Sequence, residues 1–100
     1  MSENDLKATV FNLVLNALQH SPSGSTVAIR LGEPGPFLEF ENEGEIPDDF
    51  RPKLFRPLAS RGGTGLGLHI CRKRAEESGG TLVHVPLSGR TLFRLSWSVP

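Results

Sequence analysis

The chain has 100 residues, enough for one domain of modest size, and its 37% hydrophobic and 22% charged residues are the balance of an ordinary folded domain. Eleven basic residues cancel eleven acidic ones, which excludes a dedicated nucleic-acid binder with a basic face, a polybasic membrane anchor and an acidic tail. The single cysteine, Cys71, excludes an internal disulfide and a cysteine-based zinc cluster, and it fits a reducing, intracellular setting.

Residues 1–7 are acidic and polar, unlike a signal peptide. No charge occurs from Ala8 to Ile29, yet Asn12, Asn16, Gln19, His20, Pro22 and Gly24 break that stretch too often for a membrane span. A soluble domain is expected. Leu6, Val10, Leu13, Val14, Ala17 and Leu18 recur at helical spacing, which predicts a helix over residues 4–20, stopped by Pro22, Ser23 and Gly24. Residues 25–31 alternate and read as a strand, with Val27, Ile29 and Leu31 on one face and Thr26, Ala28 and Arg30 on the other. A turn over 32–35 leads to a second strand over 36–41, antiparallel to the first. Residues 42–64 are loop-like, with room for a short helical turn near 49–55. A second long helix is expected over 65–78, capped by Gly79 and Gly80, then a hairpin of strands over 81–85 and 91–99. The order αββ–loop–αββ is that of an α+β protein: a two-layer sandwich, its mixed or antiparallel sheet backed by helices on one face.

Three segments carry chemistry. On the first helix Thr9, Asn12, Asn16, Gln19 and His20 fall within an arc of roughly 100° at 3.6 residues per turn. Amides and an imidazole stand where a solvated face would carry Lys and Glu, and asparagine is a poor helix former. A carboxamide oxygen is a hard, neutral ligand suited to Mg²⁺, which keeps most of its waters. The second segment, Glu41-Asn42-Glu43-Gly44, ends a strand with a polar side chain two residues before a glycine, so a planar ligand edge can approach the backbone. An acidic turn would have the same composition. The third, Gly62-Gly63-Thr64-Gly65-Leu66-Gly67-Leu68, opens the second helix, where free N–H groups and the helix dipole favour a phosphate. It is neither a P-loop, since no Lys-Ser/Thr pair follows, nor a dinucleotide fingerprint.

Taken in order, these segments resemble the catalytic, ATP-binding domain of bacterial sensor histidine kinases, within the gyrase, histidine kinase and mismatch-repair ATPase superfamily. Residues 12–20 (NLVLNALQH) are similar to that family's asparagine box, and 42–47 (NEGEIP) to its first glycine motif. Residues 54–58 (LFRPL) are similar to its phenylalanine motif and 63–68 (GTGLGL) to its second glycine motif. Gly79-Gly80-Thr81 and residues 88–93 (SGRTLF) match the end of the domain.

The resemblance implies a Bergerat-type fold, and it implies that Asn16 coordinates Mg²⁺ while Asn12 supports the metal-bound phosphates and His20 lies near them. It further implies that Asn42 meets the adenine amino group, that Gly44 leaves room for the base and that Thr91 lies beside it. Phe55 would anchor a lid running from Arg56 to Thr64, with Arg61 a phosphate partner within it. Gly63 and Leu68 belong to the glycine motif whose backbone amides at Gly65, Leu66 and Gly67 would face the phosphates. The sequence departs from the family at three places. Asn42 stands where an aspartate is usual, the second glycine of its motif is missing after Glu45, and Gln19 replaces a common lysine above a short lid.

None of His20, His69 or His84 has the context of the family's phosphoacceptor, which lies on a separate helical dimerisation domain. The expectation is therefore a single, N-terminally shortened catalytic domain over residues 1–100, cytoplasmic even where its parent kinase is membrane-anchored. It would bind Mg²⁺ and ATP and pass the γ-phosphate to a histidine on a dimerisation domain, and through it to a response regulator, with no nucleic-acid or membrane contact. A degenerate module that binds without phosphotransfer is the alternative, and a serine kinase or anti-sigma factor of the same superfamily a further one.

Overall fold

The computed structural model describes residues 1–32, 36–56 and 67–97. Helix α1 (Glu3–His20) starts where Ser2 Oγ accepts from the Asp5 backbone N–H, with Glu3 and Asp5 favourably placed in the first turn. It ends as Ser21 turns to extended backbone ahead of Pro22. Strands β1 (Ala28–Gly32) and β2 (Phe37–Glu43) pair antiparallel. A single 3₁₀ turn comes next at Arg51–Lys53, then helix α2 (Gly67–Glu77) and the hairpin β3 (Thr81–Leu87) and β4 (Arg90–Ser96). The sheet order is β1-β2-β4-β3, antiparallel at every pairing. This is the expected α+β sandwich. Its strand limits differ by a few residues, and β3 runs through Pro86, tolerable because β3 is an edge strand that leaves one row of N–H groups unused.

Alternation sorts the two sheet faces. Phe40, Asn42, Thr91, Phe93, Leu95 and Leu82 lie on the side of the helices and are all buried. The opposite face carries an ionic lattice. Arg30 reaches Glu41 (2.6 Å) and Glu39 (3.5 Å), Arg94 reaches Glu39 (2.6 Å), and Arg90 also pairs with Glu41. The Arg30 hydrogen bond, aided by Arg90, holds the Glu41 carboxyl below the usual carboxylate range.

Helix α1 packs on β2 and on α2, and α2 packs on β3. Leu13, Phe40, Cys71, Ala75, Leu82 and Leu95 make the centre of the core. Gly80 joins α2 to β3 by donating to the Ala75 carbonyl (2.8 Å), and any side chain there would run into the Ser96 carbonyl, so glycine is a steric requirement.

Candidate functional site

The C-terminal end of α1 and the end of β2 meet. Gly44, at φ +99°, follows β2 in a conformation that favours glycine, and a Cβ there would lie 3.8 Å from the His20 carbonyl oxygen. Its N–H donates to Gly89 (2.9 Å), fixing the end of β2 against the β3–β4 turn. Beside it stands a buried polar pair, Asn42 at 3% and Thr91 at 4% exposure, directly opposite each other on β2 and β4. Thr91 Oγ1 donates to the Gly44 carbonyl (2.6 Å) and Asn42 Nδ2 to the Glu43 carbonyl (2.9 Å). The amide nitrogen is thus turned to the backbone, and Asn42 Oδ1 is left as an acceptor. Asn42, Gly44, Thr91 and His20, assigned to one site from sequence, therefore come together at one end of the sheet.

The amide arc of α1 divides. Thr9 is fully buried in the contact with α2, and among the described residues its Oγ1 has no hydrogen-bond partner. Asn12 reaches the buried Cys71 on α2, whose thiol donates to the Thr9 carbonyl (3.8 Å). Burial pushes the Cys71 thiol up to about 11, against the smaller opposing effect of Asn12. Asn16, one turn further on, is half-buried, its side chain forms no hydrogen bond with a described residue, and His20 is exposed. Asn16 and Gln19 are thus the amides of the helix left open at the end where β2 arrives.

Phe55 lies just past the 3₁₀ turn and packs edge-on against Phe93 of β4 (ring centroids 6.2 Å), while the Arg72 guanidinium of α2 lies 4.5 Å from the Phe55 ring centre. A cavity of about 320 Å³ opens here, lined by Phe55, His69, Arg72, Lys73 and Glu76. Gly67 and Leu68 form the first turn of α2. Arg61, Gly63, Gly65 and Leu66, with the expected lid from residue 57 onward, lie outside the described residues. Sequence reasoning did not single out Arg51, which ties this region to the β2 end by donating to the Ile46 carbonyl (3.2 Å) and pairing with Asp48 (3.1 Å). Nor did it find the Asn12–Cys71 link, for which no local sequence signal exists.

No group of three or more His, Cys, Asp or Glu among the described residues could hold a metal. A cation here would draw on amide oxygen, water and ligand phosphates, a donor set that fits Mg²⁺. No helix among the described residues is long and apolar enough to cross a membrane.

Comparison with known proteins agrees with this geometry. The model of the family "Histidine kinase-, DNA gyrase B-, and HSP90-like ATPase" matches residues 1–100. The sensor protein KdpD of Clostridium acetobutylicum is 34% identical over 103 residues, covering 91% of this chain and 11% of that protein. The sensor protein VanS of Enterococcus faecium is 32% identical over 102 residues, covering 91% of this chain and 27% of its own length. The catalytic domain of histidine kinase ThkA superposes with a TM-score of 0.81 at 27% identity, over 98% of this chain and 71% of that one. The histidine kinase domain of the E. coli osmosensor EnvZ superposes at 0.74 with 29% identity, over 100% of this chain and 67% of that one. The chain thus spans a small part of the sensor proteins it resembles and most of the isolated catalytic domain. A buried polar pair at the sheet end, a glycine beside it and an open amide on the adjoining helix accompany a family match over the whole chain: this protein belongs to the histidine kinase-, DNA gyrase B- and HSP90-like ATPases.

Proposed function

We propose that the chain, as one domain, binds Mg-ATP between the end of α1, the end of β2 and the start of α2, and presents the γ-phosphate to a histidine on a separate dimerisation domain. The observation that supports this reading best is the convergence of Asn42, Thr91, Gly44 and His20 on one end of the sheet. Asn42 Oδ1 accepts from the adenine amino group, its amide nitrogen being tied to the Glu43 carbonyl by one hydrogen bond. Thr91 fixes the Gly44 carbonyl, and the missing side chain of Gly44 lets the flat base approach the backbone. Asn16 supplies a neutral oxygen ligand, with Asn12 beside it and His20 at the phosphate end. When bound, Mg²⁺ would neutralise phosphate charge.

The chain's own part in phosphoryl transfer is positioning. It holds the nucleotide, excludes water and leaves one phosphate open to an acceptor that another domain carries, from which a response regulator would receive it. Its own histidines have other surroundings: His20 ends α1, His69 lies in the first turn of α2, and His84 on β3 packs on Phe93 (5.4 Å).

Calorimetric titration with ADP and ATP, with and without Mg²⁺, tests the reading. Saturable, Mg²⁺-dependent binding that Asn16→Ala abolishes is the expected result. Unchanged metal-dependent affinity in that variant, with its fold intact, would overturn the assignment. A second reading, a binding module without phosphotransfer, draws support from the neutral Asn42 amide. Phosphorylation of a dimerisation domain supplied in trans would exclude it.

A further inference from the structure

The chain between Gly44 and the 3₁₀ turn is irregular, yet one residue ties it down. Arg51, which opens that turn, donates from Nε to the Ile46 carbonyl (3.2 Å). Its two remaining guanidinium nitrogens face Asp48 (3.1 Å) and Glu45 (4.0 Å). Its backbone N–H and that of Phe50 both donate to the Pro47 carbonyl (3.2 and 2.9 Å). Side chain and backbone together therefore engage every residue from Glu45 to Asp48.

The ion pairs are the lesser part of this clamp. The Asp48 and Glu45 side chains are 92% and 53% exposed, and pairs so open to water contribute little. The bond to Ile46 is of another kind. Ile46 and Phe50 rest on the edge of the core, and a backbone carbonyl in an irregular, half-buried segment must find its partner elsewhere. Arg51 supplies a charged donor, the stronger class, on a planar fork that serves carbonyl and carboxylate together. Upstream, Gly44 is fixed by the Gly89 carbonyl and by Thr91. The loop is thus held at both ends, and Arg51 is the fastening at the second.

We propose that Arg51 is a positioning residue for the adenine end of the site, acting through residues 45–48, which it holds as a fixed edge beside Gly44. The inference rests on the adenine reading of Asn42 and Gly44 given above. A loop already ordered gives up no further freedom when the base docks, whereas a loose one must be re-ordered at a cost in affinity. Because that cost arises at the base, it is the same whatever the phosphate chain or the metal.

Calorimetric titration of Arg51→Gln with Mg-ADP and Mg-ATP tests this. Affinity is expected to fall about tenfold for both nucleotides by the same factor, the cost of fixing roughly one more backbone residue. The Mg²⁺ concentration at half-effect, with nucleotide saturating, should not move, which sets this variant apart from Asn16→Ala. Unchanged affinity in a variant shown by circular dichroism to be folded overturns the proposal. So does a loss that differs between the two nucleotides or shifts the Mg²⁺ midpoint, since that places the effect at the phosphates. A second measurement needs no nucleotide. The backbone order parameters of Glu45, Ile46 and Asp48 should drop in Arg51→Gln below about 0.6, the flexible range, while those of β2 and β4 hold. Values unchanged in the loop overturn the clamp even if affinity falls. Wild-type protein that binds neither nucleotide overturns the reading of the site and this role with it, and the order parameters then decide separately whether Arg51 holds the loop.

Discussion

At the scale of single residues, the polar side chains on α1 show how similar groups acquire different tasks. Thr9 lies on the same arc as Asn12 and Asn16, yet it is sealed between the helices, its hydroxyl without a partner among the described residues. Such a group retains its desolvation cost without a compensating bond, so Thr9→Val, which keeps the shape, is expected to raise stability by about 1–2 kcal/mol. Urea denaturation would check this, with nucleotide titration unchanged. Asn42 is the opposite case, buried but bonded. Replacing it by aspartate puts a charged acceptor toward the proposed adenine amino group while losing the donor to the Glu43 carbonyl. Asn42→Asp is therefore expected to tighten ATP binding several-fold and to lower stability by about 1 kcal/mol, since charge-assisted bonds are the stronger class and a lost bond costs that much. Calorimetry and a denaturation curve measured together separate the two effects. These positions were legible as a set through the ordered resemblance to the kinase family: the mid-helix asparagines are unusual for their element, whereas the Asn42 segment alone reads as an acidic turn. The orphan state of Thr9 was not legible, because it depends on α2, which packs on α1 from more than fifty positions away.

At the scale of elements, periodicity located both helices and all four strands, while their limits were set by tertiary contacts. Strand β1 starts at Ala28 because its pairing starts at Glu41, and β2 extends to Glu43 because Arg90 of β4 pairs there. The alternation of Ile29 and Leu31 was read correctly as one face of a strand. It could not reveal that Ile29 and Leu31 stay exposed on this face, since coverage depends on sheet order, and that order requires β4 to pair with β2 from the far end of the chain. The 3₁₀ turn shows an element held from outside. Its own hydrogen bonds are few, and Phe55, just beyond it, is fastened by Phe93 on the sheet and Arg72 on α2. Phe55→Ala removes an edge-on ring contact and a cation–π contact from a half-buried position. It is expected to cost about 2 kcal/mol, below the ~3–5 kcal/mol of a fully buried phenylalanine. Thermal denaturation would measure that cost, and Phe55→Leu should restore part of it through area alone.

For the whole molecule, the groups with displaced protonation predict how stability depends on pH. His84 is pulled below its ordinary range by burial and, less, by the positive charge of Arg51. The folded protein therefore binds that proton less readily than the unfolded chain, so stability is full above the unfolded histidine value of about 6.5 and declines as pH falls below it. Glu41, lowered mainly by Arg30, adds a second decline in the carboxylate range, again because the unfolded chain takes the proton more readily. Cys71 acts in the other direction. With its folded value near 11 and its ordinary one near 9, the unfolded chain gives up the proton first, so stability is lost as pH rises from 9 toward 11. That rise corresponds to about 2–3 kcal/mol at its full extent. Stability should thus form a plateau between about pH 6.5 and 9 with separable shoulders. Chemical denaturation at closely spaced pH values would trace it: Cys71→Ala should flatten the alkaline shoulder and leave the acid side, and His84→Gln should remove the decline just below about pH 6.5 while leaving the Glu41 decline and the alkaline shoulder. An alkaline shoulder that persists unchanged in Cys71→Ala would mean that the thiol between α1 and α2 is not what the unfolded chain deprotonates first.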